Sequence, residues 1–129
     1  MNSIRILVVD DHAPFRRMLT DFLRSQESVT VVGEAINGLD AVQKTDELKP
    51  DLVLMDLSMP GMSGFEATRT IKAKYPKTKV VVLSSHSGEV YRTAALGSRA
   101  DDYIEKSSMK RALCVVLEQE LNRPMRVAI

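Results

Sequence analysis

Hydrophobic and polar positions divide this chain into two kinds of segment that alternate. The first kind is a short, nearly continuous run of Val, Ile and Leu, such as Ile4–Val9. Such a run is typical of a strand buried on both faces of a parallel sheet. The second kind has apolar residues at helical spacing, as Phe15, Leu19 and Phe22 have. Five such pairs follow one another, which predicts five strand–helix units.

Breaker and capping residues set the bounds of these elements. Pro14 suits the first turn of a helix, and Pro50 and Pro76 each precede a strand. Ser63, with Glu66 three residues later, predicts a capping box. The predicted strands are Ile4–Val9, Val29–Ala35, Asp51–Asp56, Lys79–Ser84 and Asp101–Ile104, and the predicted helices are Pro14–Ser25, Leu39–Leu48, Ser63–Tyr75, Ser87–Ser98 and Ser108–Asn122.

The order of these elements predicts the fold class. Parallel strands need crossover helices, and right-handed crossovers place helices on both faces of the sheet. We therefore expect an α/β, flavodoxin-like three-layer sandwich, with a five-stranded parallel sheet in the order 2-1-3-4-5 and five helices. The short, more polar fifth strand is expected at an edge. Residues 1–123 are predicted to form this domain, and residues 124–129 a tail or the start of a linker.

Composition excludes several classes of protein. The 129 residues are 44% hydrophobic and 27% charged, with a net charge of +1, which disfavours nucleic-acid binding by this domain. No apolar segment reaches the length of a signal peptide or a membrane span. The single cysteine, Cys114, fits a reducing cytoplasm and is predicted to be a small buried hydrophobe.

Polar residues follow the predicted strands at their carboxyl ends. Asp10 and Asp11 follow the first strand, Asp56 ends the third, Ser84 ends the fourth, and Lys106 comes just after the fifth. Ligands of open α/β sheets bind at this edge, near the point where the strand order reverses. In the predicted order, that point lies between strands one and three. The three aspartates are therefore expected to share one crevice.

Three carboxylates in one crevice need a compensating charge. Two unit charges 4 Å apart repel by about 4 kcal/mol at an effective dielectric constant near 20. An oxygen-rich site with few protein ligands suits Mg²⁺, and a carboxylate beside it can attack a phosphoryl group. Lys106 would neutralise developing charge, and Ser84 would hydrogen-bond a phosphoryl oxygen. These residues together predict an acyl phosphate on aspartate.

The chain resembles the receiver domain of two-component response regulators. The resemblance covers essentially all 129 residues. The strings DDH and MPGMSG are similar to those of receivers that precede a LuxR-type helix-turn-helix output domain. The motifs that carry the resemblance are Asp10-Asp11, Asp56 followed by Met59-Pro60-Gly61, Ser84, Tyr103 and Lys106.

This resemblance implies a role for each site residue. Asp56 would accept a phosphoryl group from a sensor histidine kinase or a phosphotransfer protein. Asp11, Asp56 and the backbone carbonyl of Ser58 would ligate Mg²⁺, with Asp10 acting through water. Lys106 would pair with the phosphoryl charge. The implied protein is a cytoplasmic phosphoprotein of a two-component phosphorelay, and it catalyses only its own phosphorylation and dephosphorylation.

The resemblance also implies a conformational switch. Ser84 and Tyr103 would move with the phosphoryl group and change partner binding at the face formed by helix four, strand five and helix five. The partner at that face is commonly a second copy of the domain. Ser58 and His86, each two residues past a site residue, are hypothesised to set the dephosphorylation rate.

Alternatives stay open for single residues and for the whole chain. Considered without the other site residues, Asp11 could cap the following helix, and Lys106 could be an ordinary solvated lysine. A haloacid-dehalogenase-like phosphatase also uses an Asp nucleophile with Mg²⁺, but it needs an Asp where Ser58 stands. A nucleotide or flavin binder on the same sheet is disfavoured, because the first loop, Asp11-His12-Ala13-Pro14, has no glycine to admit a phosphate. A receiver-like interaction module that is never phosphorylated is a further alternative.

Two positions depart from the family pattern. Arg99 stands where many receivers have Gly, so we expect either a rearranged end of helix four or local strain at Arg99. Ser107 stands where many receivers have a cis proline after the lysine. A cis bond before a residue other than Pro costs about 3–4 kcal/mol, so the bond before Ser107 is predicted to be trans.

Overall fold

A computed structural model of the protein describes residues 3–86 and 88–123. Five strands and five helices alternate in it, and a short 3₁₀ turn precedes the last helix. The elements are β1 (Ile4–Val9), α1 (Ala13–Arg24), β2 (Val29–Ala35), α2 (Gly38–Leu48), β3 (Leu52–Asp56), α3 (Gly64–Lys74), β4 (Lys79–Ser84), α4 (Glu89–Gly97), β5 (Asp102–Glu105), the 3₁₀ turn Lys106–Ser108 and α5 (Met109–Leu121).

The strands form one parallel sheet in the order β2-β1-β3-β4-β5, which confirms the predicted topology. β1 lies between β2 and β3, with Val9 paired to Met55. In the next pair of strands, Asp56 of β3 lies opposite Leu83 of β4. β5 pairs only with β4 and is an edge strand, as predicted. The carboxyl ends of β1, β3 and β4 therefore meet at one rim.

Side chains of the central strands are buried on both faces, and this gives the fold its three layers. On one face, Ile6 and Leu54 pack in a cluster that also contains Leu19 of α1 and Leu113 of α5. The opposite face of the same strands belongs to a second cluster, with residues from α2 and α3. Helices thus pack on both faces of the sheet, and this packing fixes the positions of the residues at its carboxyl edge.

Local signals in the sequence identified the helix ends closely. The capping box forms as predicted, since the Ser63 hydroxyl accepts from the Glu66 backbone N–H and the Glu66 carboxylate accepts from the Ser63 backbone N–H. Pro14 lies in the first turn of α1. The predicted start of the fourth helix at Ser87, and the predicted tail 124–129, lie outside the described residues.

Two of the expected departures are confirmed, and one prediction is wrong. Arg99 has φ +74°, in the left-handed region that glycine favours, and the peptide bond before Ser107 is trans. Cys114, however, is exposed rather than buried. α5 turns Leu113 towards the sheet, and the next residue points about 100° away around the helix, so Cys114 faces outward. None of the helices within the described part of the chain is both long and apolar enough to cross a bilayer.

Candidate functional site

The structure brings three carboxylates together at the carboxyl edge of the sheet. Asp10 directly follows β1, and Asp56 is the last residue of β3, the strand paired with β1. Oxygens of Asp10, Asp11 and Asp56 all lie within 4.8 Å of one another. Asp10 and Asp56 are buried, whereas Asp11 is exposed at the mouth of the crevice. The strand order alone therefore produces the acidic crevice predicted from the sequence.

Lys106 provides the positive charge of this crevice. It follows β5 directly, and its Nζ lies 2.9 Å from Asp10 Oδ2 and 3.2 Å from Asp56 Oδ1. The same ammonium lies 4.1 Å from the centroid of the Phe15 ring, a cation–π contact from α1. Lys106 is thus held between two buried carboxylates and an aromatic face.

Burial and charge shift the pKa values of both members of the Asp56–Lys106 pair. Burial, and the neighbouring charge of Asp10, raise the pKa of Asp56, and the ammonium of Lys106 only partly offsets this. Burial by itself would lower the pKa of Lys106, but the hydrogen bond to Asp10 and the charges of Asp56 and Asp10 raise it. The crevice therefore favours additional positive charge near Asp56.

Both oxygens of Asp10 are engaged within the protein. Oδ1 accepts from the backbone N–H of His12 at 2.8 Å, and Oδ2 accepts from Lys106. His12 in turn caps α1, because its Nδ1 accepts from the backbone N–H of Phe15. The alternative in which Asp11 caps this helix is therefore wrong. The Asp11 carboxylate remains at the mouth of the crevice.

The donor set fits a small, hard divalent cation. The crevice offers several carboxylate oxygens and one open side, and Mg²⁺ prefers oxygen ligands and keeps several waters. Asp11 and Asp56 are the carboxylates best placed to face such an ion, since Asp10 is already bonded twice. The crevice is lined by Asp10, Asp11, His12, Pro14, Phe15, Asp56, Ser58, Ser85 and Lys106.

Ser84 and Tyr103 both bind the backbone of His86. The Ser84 hydroxyl accepts from the His86 backbone N–H at 3.0 Å, and the Tyr103 hydroxyl donates to the His86 carbonyl oxygen at 2.5 Å. Tyr103 is buried, with 2% of its surface exposed. Ser58 Oγ lies 3.4 Å from Nε2 of the His86 ring. The predicted switch and rate-tuning residues therefore form one contact network, which centres on His86.

Two glycines allow the loop after β3 to lie close to the site, a role that was not predicted for them from the sequence. A Cβ on Gly64, the first residue of α3, would overlap the backbone carbonyl oxygen of Asp56. A Cβ on Gly38, the first residue of α2, would overlap the backbone of Met62 in that loop. Asn37-Gly38 and Ser63-Gly64 each place a glycine directly after a helix cap, but the sequence does not show which backbone approaches it. Phe15, under Lys106, had no signal beyond its helical spacing.

Comparisons with known proteins agree on one family. The family model described as the response regulator receiver domain matches residues 6–118. The response regulator protein VraR of Staphylococcus epidermidis is 49% identical over 108 residues, which are 82% of this chain and 51% of VraR. This chain thus spans about half the length of that relative.

Solved structures with the same architecture are also similar in sequence. The response regulator domain of Thermotoga maritima CheB is 38% identical with a TM-score of 0.86, over 95% of this chain and 98% of that one. A LuxR-family two-component response regulator from Aurantimonas sp. SI85-9A1 is 32% identical with a TM-score of 0.87, over 93% and 86%. Similarity in fold and similarity in sequence therefore indicate the same family.

Proposed function

Since the chain belongs to the response regulator receiver domain family, we propose that it is a signalling switch phosphorylated on Asp56. One observation carries this proposal. Asp56 is a buried carboxylate at a strand end, with two further carboxylates within 4.8 Å and the ammonium of Lys106 at 3.2 Å. This geometry suits an acyl phosphate, whose negative charge needs cations on more than one side.

The phosphoryl donor we propose is the phosphohistidine of a sensor histidine kinase or of a phosphotransfer protein. A carboxylate oxygen of Asp56 attacks the phosphorus atom, and an O–P bond forms as the N–P bond of the donor breaks. Lys106 already contacts Asp56 and pairs with the phosphoryl charge. The Ser84 hydroxyl, now bonded to the His86 N–H, rotates to donate to a phosphoryl oxygen.

Asp11, Asp56 and the backbone carbonyl of Ser58 are the proposed ligands of a Mg²⁺ ion, with Asp10 acting through water. The ion would neutralise charge on the transferring phosphoryl group. Asp10 suits an indirect role because both of its oxygens already bind protein donors. Asp11 suits a direct role because its exposed carboxylate lies at the mouth.

The signalling face is proposed to be α4, β5 and α5. Tyr103 of β5 bonds the His86 backbone, so movement of the loop after β4 is transmitted to this face. Exposed apolar side chains lie on it, among them Val90, Leu96 and Val115. The proposed partner is a second copy of the domain. No binding of nucleic acid or membrane is proposed for this domain. A reducing cytoplasm suits the exposed Cys114.

Ser58 and His86 are proposed to set the rate at which the phosphoryl group is lost. They lie on the two loops that flank Asp56 and approach each other to 3.4 Å. Ser58 also stands where a haloacid-dehalogenase-like phosphatase needs a general acid. A hydroxyl there supports self-limited phosphorylation rather than turnover of phosphoesters.

Incubation with Mg²⁺ and acetyl phosphate tests the proposal. We expect the mass gain of one phosphoryl group, labile to hydroxylamine, and none in Asp56→Asn. Asp21→Asn, which changes an exposed aspartate of α1, is the matched control and should label like the parent. Label on Asp56→Asn, or none on the parent, would show that Asp56 is not the phosphoacceptor.

The metal is tested by Asp11→Asn. Because Asp11 is exposed, this variant should fold like the parent, yet it should no longer gain thermal stability from Mg²⁺ and should label slowly. An Asp11→Asn variant that is stabilised by Mg²⁺ as strongly as the parent would exclude Asp11 as a ligand.

A further inference from the structure

The imidazole of His86 is held on two sides by side chains from different elements. One face stacks on the ring of Tyr91, with centroids 4.3 Å apart and planes 9° from parallel. Tyr91 lies in the first turn of α4. At the ring edge, Nε2 lies 3.4 Å from the Ser58 hydroxyl. Tyr91, His86 and Ser58 thus form a bridge from α4 to the loop after β3, named here the aromatic bridge.

We infer that Tyr91 is a positioning residue that slows hydrolysis of the phosphoryl group, by holding His86 against Ser58. This inference rests on the proposed function, because it concerns an acyl phosphate on Asp56. In hydrolysis, a water oxygen attacks phosphorus, the bond from phosphorus to the Asp56 oxygen breaks, and inorganic phosphate leaves a free carboxylate. The aromatic bridge restricts the approach of that water.

The position of Ser58 supports this inference. Ser58 lines the same crevice as Asp56, two residues further along the chain. His86 belongs to the loop after the neighbouring strand, β4. A contact between these two side chains therefore joins the two loops that flank the phosphoacceptor. A joined pair leaves a narrower path to phosphorus than two separate loops would.

The role of Tyr91 follows from what already holds His86. Tyr103 binds the carbonyl oxygen of His86, and Ser84 binds its backbone N–H until the hydroxyl turns to a phosphoryl group, so both contacts act on the backbone of His86. They leave the side-chain torsions of His86 free. An exposed ring turns between rotamers unless something packs on it. The stack on Tyr91 supplies that packing and keeps Nε2 near Ser58.

The bridge also ties the proposed signalling face to the lifetime of the signal. Tyr91 is 37% exposed, and its neighbour Val90 is 79% exposed. A rearrangement of the first turn of α4 would separate the two rings. The structure therefore contains a direct physical link between the position of α4 and the hydrolysis rate.

Decay of the label after acetyl phosphate is removed tests this role. We expect Tyr91→Ala to lose its label about two- to tenfold faster than the parent, the range set by an aromatic stacking energy. Tyr91→Phe keeps the ring and should decay at the parent rate. Thr93→Ala, which alters another exposed residue of the same helix, is the matched control and should also decay at the parent rate.

A double-mutant cycle separates positioning from a general effect on the fold. His86→Ala should decay faster than the parent, and adding Tyr91→Ala should change that rate no further, since the ring that Tyr91 holds is gone. Equal decay of Tyr91→Ala and the parent, rapid decay of Tyr91→Phe, or multiplied effects in the double variant would each overturn the inference alone. Absence of label on Asp56 in the parent would overturn the proposed function and this inference with it.

Discussion

Lys106 Nζ donates a 2.9 Å hydrogen bond to Oδ2 of Asp10, a residue 96 positions earlier in the chain. Their side chains are 18% and 2% exposed, so water screens the pair weakly. The contact spans the sheet rim from the turn after edge strand β5 to the end of central strand β1. Among the described residues that line the crevice, Lys106 alone carries an ammonium, and this contact places it beside the carboxylates.

Replacement of this lysine tests how strongly the carboxylates depend on it. Lys106→Met should lower the free energy of unfolding at pH 7 by about 1–3 kcal/mol, because Asp10 and Asp56 lose a charged hydrogen-bond donor. Urea denaturation measures this. Mg²⁺ should raise the midpoint of Lys106→Met more than that of the parent, since the ion replaces the missing charge.

Lys110→Met is the matched control. Lys110 is an exposed residue of α5, with its Nζ above the Phe22 ring, and it lies outside the acidic crevice. The Lys110→Met variant should have nearly the same stability as the parent and the same response to Mg²⁺. An equal response of the Lys106 and Lys110 variants to Mg²⁺ would contradict the prediction.

Asp56→Asn should stabilise the fold at neutral pH. The pKa of Asp56 is raised in the folded state, so the protonated form is favoured there and the charged form costs stability. The stability contributed by protonated Asp56 is fully present when the pH is below its unfolded pKa of 3.8. It is lost as the pH rises through the raised pKa of the folded state. Asn carries no such charge, and thermal melts from acid to neutral pH should show its advantage only at the upper end.

Asp21→Asn again serves as the control, because that side chain is exposed on α1. Its midpoint should follow that of the parent across the same pH range. A stabilisation by Asp56→Asn that is equally large in acid would show that charge burial is not its cause.

Gly64→Ala tests the close approach of α3 to the end of β3. The added Cβ would overlap the Asp56 carbonyl oxygen, so the helix must shift, and overpacking of this kind costs about 1–3 kcal/mol. Gly97→Ala, at the end of α4, meets nothing within 4 Å and should be neutral or stabilising by up to about 1 kcal/mol. Denaturant melts compare the two, and equal effects would contradict the packing explanation.

Arg99→Gly should stabilise the protein. Arg99 has φ +74°, and this left-handed conformation costs a residue with a Cβ about 1–2 kcal/mol. Glycine avoids that cost, but it loses more conformational entropy on folding, which offsets part of the gain. We expect a gain of about 0.5–1 kcal/mol in chemical denaturation. Arg17→Gly, at an exposed position in the body of α1, should instead destabilise by about 1 kcal/mol. A loss at both positions would show that Arg99 bears no strain.

Patterns of local origin were readable from the sequence. The alternation of apolar runs and helical periods predicted a parallel α/β sandwich, and the flavodoxin-like form of that sandwich supplied the sheet order. The strand ends predicted Asp10, Asp11, Asp56 and Lys106 at one rim. These predictions succeed because a parallel sheet brings all its carboxyl ends to the same edge. The fold and the family could therefore be predicted without any interatomic distance.

Contacts between elements were decided only by the tertiary structure. Rotation of α5 about its axis exposes Cys114, and His12 rather than Asp11 caps α1. Tyr91 reaches His86 because of where α4 lies against the loop after β4. Periodicity reports which face of an element is apolar, but it does not report how that element is turned and placed against its neighbours. Packing of the whole chain sets those positions, and with them the partners of each site residue.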